Sequence, residues 1–119
     1  MAIESLSAVT LSTQDLARAV AFYEALGFEC IKGGVEASFA SFRAGAQFLN
    51  LQHRERAVPP RGWGRVIFYV ADVDAMHRRA SARGIVPDFA PRDAPWDERY
   101  FHVTDPDGHE ISFARPLRG

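Results

Sequence analysis

The chain has 119 residues, of which 47% are hydrophobic and 24% charged, a balance typical of one soluble globular domain and not of a disordered chain. Lys and Arg total 14 against 15 for Asp and Glu, and this net charge of -1 argues against a nucleic acid partner. Cys30 is the only cysteine, which excludes an internal disulfide and a cysteine-based zinc site. No signal peptide or membrane-length apolar run is visible, so we predict a cytoplasmic protein with no membrane partner.

The first half of the chain predicts a strand, a helix and three further strands. Residues 7–12 alternate between apolar and small polar side chains, as in a half-buried strand. Thr13 or Asp15 can then cap a helix that Gly27 ends. The apolar stripe of that helix consists of Leu16, Val20 and Tyr23. The following strands are predicted at residues 28–32, 36–42 and 47–53.

The second half repeats this pattern. Residues 65–70 alternate like the first strand, Asp72 can cap a helix, and Gly84 can end it. Asp15 and Gly27 are 12 residues apart, Asp72 and Gly84 are also 12 apart, and the offset between the two units is 57 residues. The remaining strands are predicted at residues 86–90, 99–104 and 109–114, the last two joined by an Asp-Pro-Asp-Gly turn.

The predicted order of elements is therefore βαβββ, twice, in an α+β fold with pseudo-twofold symmetry. We predict a single domain over residues 1–119, with module one at about 5–56, a Pro-Pro linker at 57–64 and module two at about 65–115. A helix covers one face of each sheet and leaves the other face free. Two such free faces can enclose a cavity for a small molecule.

Two segments carry a family resemblance. Residues 11–28, LSTQDLARAVAFYEALGF, and residues 101–113, FHVTDPDGHEISF, resemble the vicinal oxygen chelate superfamily. That superfamily includes glyoxalases, ring-cleaving dioxygenases, and fosfomycin-resistance and bleomycin-resistance proteins. The resemblance covers nearly the whole chain, and it implies paired βαβββ modules, a cavity formed by two curved sheets, and a homodimer.

The resemblance also implies where a divalent metal would be bound, because enzymes of this superfamily hold one through His and Glu side chains. The corresponding positions here are Ala8, Asn50, Arg65 and Ser112, with Gln52 one strand alternation away from Asn50. Ala8 has no donor atom, Asn50 and Ser112 offer weak neutral oxygens, and the cation of Arg65 repels a metal ion. We therefore predict no metal and no cofactor.

Strand alternation places polar and aromatic side chains on the faces that would line the cavity. The predicted ligand-binding residues are Thr10, Asn50, Gln52, Arg65, Tyr69, Tyr100, His102 and Ser112 in the strands, and Trp63 and Trp96 in loops. His102 is the best candidate for acid–base chemistry. Arg65, with no acid evident in reach, is predicted to hold an anionic or carbonyl oxygen in place of a metal.

Each of these predictions has a structural alternative. Arg65 could extend to solvent from a strand end, His102 could be structural, and each tryptophan could simply cover an apolar edge. His53 and His109 are predicted to be exposed. The loop at residues 91–99 is predicted to be a lid, since it precedes the strand with Tyr100 and His102.

Three functions follow from this sequence. The leading hypothesis is a metal-free protein of the bleomycin-resistance kind that sequesters a small drug or metabolite, as a homodimer. The second is a lyase, isomerase or dioxygenase with a displaced metal, whose ligands would come from His53, His102, and Glu98 or Glu110. The third is an interaction domain with a vestigial cavity.

Overall fold

The computed structural model describes residues 2–34, 36–56 and 63–118. The chain divides into two compact units, the N-terminal unit (Met1–Val58) and the C-terminal unit (Pro59–Gly119). Most of the predicted linker, residues 57–62, lies outside the described residues. In each unit one helix packs on a four-stranded sheet that has both parallel and antiparallel strand pairs.

The elements of the N-terminal unit are β1 (Ala8–Thr13), α1 (Leu16–Ala25), β2 (Cys30–Gly33), β3 (Phe39–Ala44) and β4 (Gln47–His53). Their order in the sheet is β1-β4-β3-β2, with β1 parallel to β4 and the other pairs antiparallel. The Asp15 carboxylate caps α1 by accepting the Arg18 N–H at 3.0 Å. After α1, Gly27 adopts a φ of 103°, a conformation that glycine tolerates and most other residues do not.

Alternation in the strands decides which side of this sheet packs against α1. Leu49 and Leu51 of β4 are fully buried, as are Tyr23 of α1 and Phe42 of β3. The rings of Tyr23 and Phe42 lie 5.9 Å apart between helix and sheet. This aromatic and aliphatic layer is the core of the N-terminal unit, and it stabilises the unit chiefly by burial of apolar area.

The elements of the C-terminal unit are β5 (Arg65–Tyr69), α2 (Val73–Ala82), β6 (Arg92–Asp93), β7 (Glu98–Thr104) and β8 (Glu110–Pro116). Their order in the sheet is β5-β8-β7-β6, with β5 parallel to β8. Asp72 caps α2 by accepting the Ala75 N–H at 3.0 Å, which repeats the role of Asp15. The core lies under α2, where Phe101 and Phe113 are almost fully buried and Phe68 stacks on Phe113.

The strand registers show that the parallel pair β1–β4 of the first unit corresponds to the parallel pair β5–β8 of the second. Thr10 of β1 pairs with Asn50 of β4, and Ile67 of β5 pairs with Ser112 of β8. The 57-residue offset therefore brings Thr10 and Ile67 to the same place in their sheets. The prediction of an α+β fold built from two βαβββ modules is confirmed.

The predicted strand at residues 86–90 is wrong, because the strand in that place is β6, a two-residue pair with β7. Pro87 and Pro91 lack the N–H groups that a sheet ladder needs. Asp88 alone bonds to β7 from this stretch, donating its N–H to the His102 carbonyl at 2.9 Å. The loop predicted at residues 91–99 is consequently a short hairpin of β6 and β7.

The described part of the chain contains no helix that is long and apolar enough to cross a membrane. Both α1 and α2 have ten residues.

Candidate functional site

Each sheet has an open face, defined here as the face opposite its helix. On the open face of the N-terminal unit, polar side chains bond to one another or to the backbone. Asn50 donates to the Thr10 hydroxyl at 3.3 Å and accepts a hydrogen bond from Ser41. Gln52 donates to the Ser38 carbonyl at 3.2 Å. The predicted ligand-binding residues Thr10, Asn50 and Gln52 are therefore already engaged in a neutral network.

The open face of the C-terminal unit carries charged groups in a row across β5, β8 and β7. Arg65 Nη1 lies 3.6 Å from Glu110 Oε2, and His102 Nδ1 lies 3.6 Å from Glu110 Oε1. The register explains this, because Arg65 pairs with Glu110 while Glu110 is diagonal to His102, which pairs with Ser112. The expectation that no acid lies near Arg65 is thus wrong. It failed because the β5–β8 pairing joins residues 45 positions apart in sequence.

His102 is the buried member of this row, with 8% of its surface exposed. Its Nε2 is inaccessible to solvent and has no hydrogen-bond partner within the described residues. Burial lowers the pKa of His102, and the carboxylate of Glu110 opposes that shift. The imidazole is consequently neutral at pH 7, with a lone pair available on one nitrogen. A buried polar atom left unpaired costs about 1–3 kcal/mol, which a ligand that binds it recovers.

Aromatic rings surround His102 on the open face. The Phe89 ring centroid lies 4.9 Å from that of His102, and the Tyr100 centroid lies 5.3 Å away. Arg92 stacks on Phe89 at 3.8 Å and donates to the Tyr100 hydroxyl at 3.2 Å. Ser112 is also buried here, with 2% exposure. Flat apolar surface next to hydrogen-bonding and cationic groups is typical of small-molecule sites.

A second, more exposed group of predicted residues lies around Glu98. Tyr69 and Trp96 are 64% and 53% exposed, and both donate hydrogen bonds to the carboxylate of Glu98, Trp96 at 3.0 Å. The bond to Glu98 raises the pKa of Tyr69. The Trp96 ring lies 5.3 Å from that of Tyr100, so this group borders the rings around His102.

Trp63 lies against the turn before β8. Its indole N–H donates to His109 Nδ1 at 3.2 Å, and its ring is 47% exposed. His109 was predicted to be exposed, but only 5% of its surface is accessible. The reason is local, since the Asp105 carboxylate accepts the His109 N–H at 2.9 Å and folds the turn inward.

Three potential metal donors come together on the same open face. Ligand atoms of Asp88, His102 and Glu110 lie within 4.8 Å of one another. The sequence had suggested His102 and Glu110 for a displaced site, but not Asp88. Asp88 was assigned to a strand, and its approach to His102 depends on the single backbone bond described above. In contrast, Ala8, Asn50, Arg65 and Ser112 supply no set of imidazole and carboxylate donors, so they do not fit the metal that the family resemblance implies.

A model of the Glyoxalase/Bleomycin resistance protein/Dioxygenase superfamily matches residues 5–113. The chain belongs to this superfamily. The resemblance noted in the sequence is therefore confirmed, and the matched region includes the helix segment and the Asp-Pro-Asp-Gly turn that carried it.

Several solved structures are similar to this chain, and the similarity covers most of both chains in each comparison. A glyoxalase/bleomycin resistance protein/dioxygenase from Nocardioides is 25% identical, with a TM-score of 0.74, covering 100% of this chain and 87% of that chain. A lactoylglutathione lyase from Agrobacterium tumefaciens is 24% identical (TM-score 0.74, 94% and 93% covered). A bleomycin-binding protein complexed with bleomycin is 22% identical (TM-score 0.76, 95% and 98% covered). The last two show the shared fold alone, and comparison with curated proteins gives no match.

Proposed function

We propose that this superfamily member is a small-molecule binding protein that uses the open face of its C-terminal sheet, with no metal at the four family positions. The observation that carries the proposal is the contact chain Arg65–Glu110–His102, which runs beside the Phe89 and Tyr100 rings. Cationic, neutral hydrogen-bonding and flat apolar groups lie together there. They suit a flat ligand that carries an anionic or carbonyl oxygen.

Arg65 is the anchor for the ligand oxygen in this proposal. About a third of its side chain is exposed, and its contact with Glu110 at 3.6 Å is longer than a normal hydrogen bond. A guanidinium presents several N–H donors in one plane, so it can bind a ligand oxygen while it stays near Glu110. Glu110 in turn keeps the site from carrying an uncompensated positive charge when no ligand is bound.

His102 and the neighbouring rings would recognise the body of the ligand. Neutral His102 can accept or donate one hydrogen bond, and a ligand must displace neighbouring side chains to reach its Nε2, which is closed to solvent and lacks a partner among the described residues. Phe89, which is only partly buried, offers ring surface for stacking, a contribution of about 0.5–1.5 kcal/mol for an aromatic pair, and the buried Tyr100 ring packs against it at 5.4 Å. Arg92, stacked on Phe89, places a second cation at this surface.

One of the fold relatives supports a specific kind of activity for this binding site. It is a bleomycin-binding protein complexed with bleomycin, so sequestration of a drug or metabolite is the activity we propose here. An antibiotic-resistance role, the homodimer and the cytoplasmic location remain predictions from the sequence. Catalysis as a lyase, isomerase or dioxygenase is the second candidate, and it depends on the donor set of Asp88, His102 and Glu110.

A thermal-shift screen with matched variants tests the binding proposal. The library should contain bleomycin, flat aromatic acids and their neutral amide counterparts, because the amides lack the anionic charge that Arg65 is proposed to bind. We expect acids to raise the melting temperature of the wild type more than amides do. Arg65→Ala should abolish most of that rise, and Arg65→Lys should keep part of it.

Arg43→Ala is the matched control, because Arg43 is an arginine on the open face of the other unit, where it pairs with Phe48 and lies over its ring at 5.9 Å. This variant should keep the full ligand-induced rise. If acids and amides act equally, or if Arg65→Ala responds like the wild type, then Arg65 is not the anchor and the proposed site is wrong.

A further inference from the structure

The open face of the C-terminal unit brings together three side chains that are potential metal ligands. Asp88, His102 and Glu110 come from three neighbouring stretches of chain, namely the segment before β6, strand β7 and strand β8. Their ligand atoms lie within 4.8 Å of one another. Two atoms bound to one ion at about 2.1 Å each cannot be more than about 4.2 Å apart, so small side-chain rotations bring all three into range.

We propose that Asp88, His102 and Glu110 form a divalent transition-metal site that is displaced from the four family positions. One imidazole and two carboxylates suit first-row ions such as Zn²⁺, Co²⁺ or Mn²⁺ better than Mg²⁺ or Ca²⁺, which prefer oxygen alone. Three protein donors on one sheet face leave the remaining coordination positions for water or a ligand oxygen. The sequence predicted no metal, and the displaced site considered as its alternative used His53, His102, and Glu98 or Glu110, without Asp88.

The state of His102 is the independent observation that points to an ion. The residue is 8% exposed and its side chain 11% exposed, yet among the described residues Nε2 has no hydrogen-bond partner and Nδ1, the nitrogen that faces Glu110, has only the 3.6 Å contact with Glu110. Buried imidazoles normally have a partner on at least one nitrogen. A separation of 3.6 Å between His102 Nδ1 and Glu110 Oε1 is too long for a hydrogen bond, but it is suitable for two donors that bind the same ion.

The surroundings of the other two ligands support the same assignment. Thr104 donates to both carboxylate oxygens of Asp88 at 3.2 Å, an outer contact that fixes the carboxylate next to His102. Arg65 contacts Glu110 at Oε2 while His102 faces Oε1, so one oxygen of Glu110 is on the side of the proposed ion. Arg65 and Arg92 both lie near His102 and weaken metal binding by repulsion, and the two carboxylates balance these two cations in charge.

The test uses metal alone, so it does not depend on the identity of any organic ligand. Chelator-treated protein is titrated with Zn²⁺ by calorimetry and with Co²⁺ by visible absorption, with Mg²⁺ as the comparison ion. We expect one Zn²⁺ per chain, a Co²⁺ spectrum of nitrogen and oxygen ligands, and no saturable heat with Mg²⁺. Asp88→Asn and Glu110→Gln should each lower Zn²⁺ affinity by roughly 10- to 100-fold or more.

Two control variants separate this site from adventitious binding. His53→Gln removes an exposed histidine of the N-terminal unit, and Glu24→Gln removes an exposed acid on α1. Both should bind Zn²⁺ like the wild type. No saturable Zn²⁺ binding, or binding that persists in Asp88→Asn and Glu110→Gln but disappears in His53→Gln, would overturn the proposal. Because Asp88 is exposed, its variant is expected to fold even if a change at His102 does not.

Discussion

The two open faces of this molecule have the same strand order and register, but the polar groups at the centre of each face differ in charge. In the N-terminal unit, Thr10, Ser41 and Asn50 are neutral and bond to one another. In the C-terminal unit, Arg65, Glu110 and His102 carry or respond to charge. His102 is the register counterpart of Ser41, since His102 pairs with Ser112 as Ser41 pairs with Asn50.

This difference shows that the repeated sequence pattern gives both units the same backbone structure. A few residues on each open face determine the chemical properties of that face. Capping aspartates, helix-ending glycines and buried core residues recur in both units because both must fold in the same way. The open faces need only stay compatible with the sheet, so they can diverge. A neutral network that satisfies itself stabilises its sheet, whereas charged groups that lack full hydrogen bonding are available for a ligand.

The largest expected effect concerns the buried core between helix and sheet, a feature that both units share. Phe113 is 1% exposed under α2, whereas Ile67 is 51% exposed on the open face of the same sheet. Phe113→Ala should lower the free energy of unfolding by about 3–5 kcal/mol, because it leaves a cavity in the core. Ile67→Ala should cost less than about 1 kcal/mol. Urea unfolding measures both, and equal losses would mean that the helix-facing and open sides are assigned wrongly.

A smaller effect is expected in the neutral network of the N-terminal unit. Asn50→Ala removes the hydrogen bonds with Thr10 and Ser41, and it should lower the free energy of unfolding by about 0.5–1.5 kcal/mol. Gln52→Ala, which loses a bond to the Ser38 carbonyl at a partly exposed position, is the comparison variant and should cost no more than this. Unchanged urea midpoints for Asn50→Ala would show that the network does not stabilise the sheet.

The smallest expected effect concerns the ion pair between α2 and its sheet. Arg99 of β7 binds both carboxylate oxygens of Asp74 on α2 at 2.9 Å, and no acid lies in the first turn of α1. The Arg99 guanidinium lowers the pKa of Asp74 below its usual value near 3.8. The contribution of this pair to stability is therefore fully present above about pH 3.8 and is lost as the pH falls through the lowered pKa.

Urea midpoints of the wild type and Asp74→Asn, compared as a function of pH, check this expectation. The wild type should be slightly more stable at neutral pH, and the two midpoints should converge on acidification. A difference that persists unchanged through the acidic range would contradict the assignment of the pKa shift to Arg99.

Local patterns explain how much of this molecule could be predicted from its sequence. Asp15 and Gly27 mark the ends of α1 through contacts within a few residues, and the repeat transfers the same marks to α2. Alternation also predicts which strand residues share a face. The segment at residues 86–90 was mispredicted because its apolar content favours a strand, whereas its two prolines prevent a regular ladder.

The groups of the candidate site were harder to predict, because they depend on pairing between distant strands. Glu110 reaches Arg65 only because β5 lies parallel to β8, and no local signal indicates that neighbour. Asp88 reaches His102 through one backbone bond from an irregular segment. His102 was a candidate from alternation, but its lack of a partner at Nε2 is a property of the packed structure.

The central expectation is that ligand affinity comes from the Arg65–Glu110–His102 row of the C-terminal unit and not from the neutral network around Asn50 in the N-terminal unit. It is tested most directly by calorimetric titration of one validated ligand into wild type, Arg65→Ala and Asn50→Ala. We expect Arg65→Ala to lose about 1.5–3 kcal/mol of binding free energy, the value for a charged hydrogen bond, and Asn50→Ala to lose less than about 0.5 kcal/mol. An unchanged affinity in Arg65→Ala, with a large loss in Asn50→Ala, would contradict it.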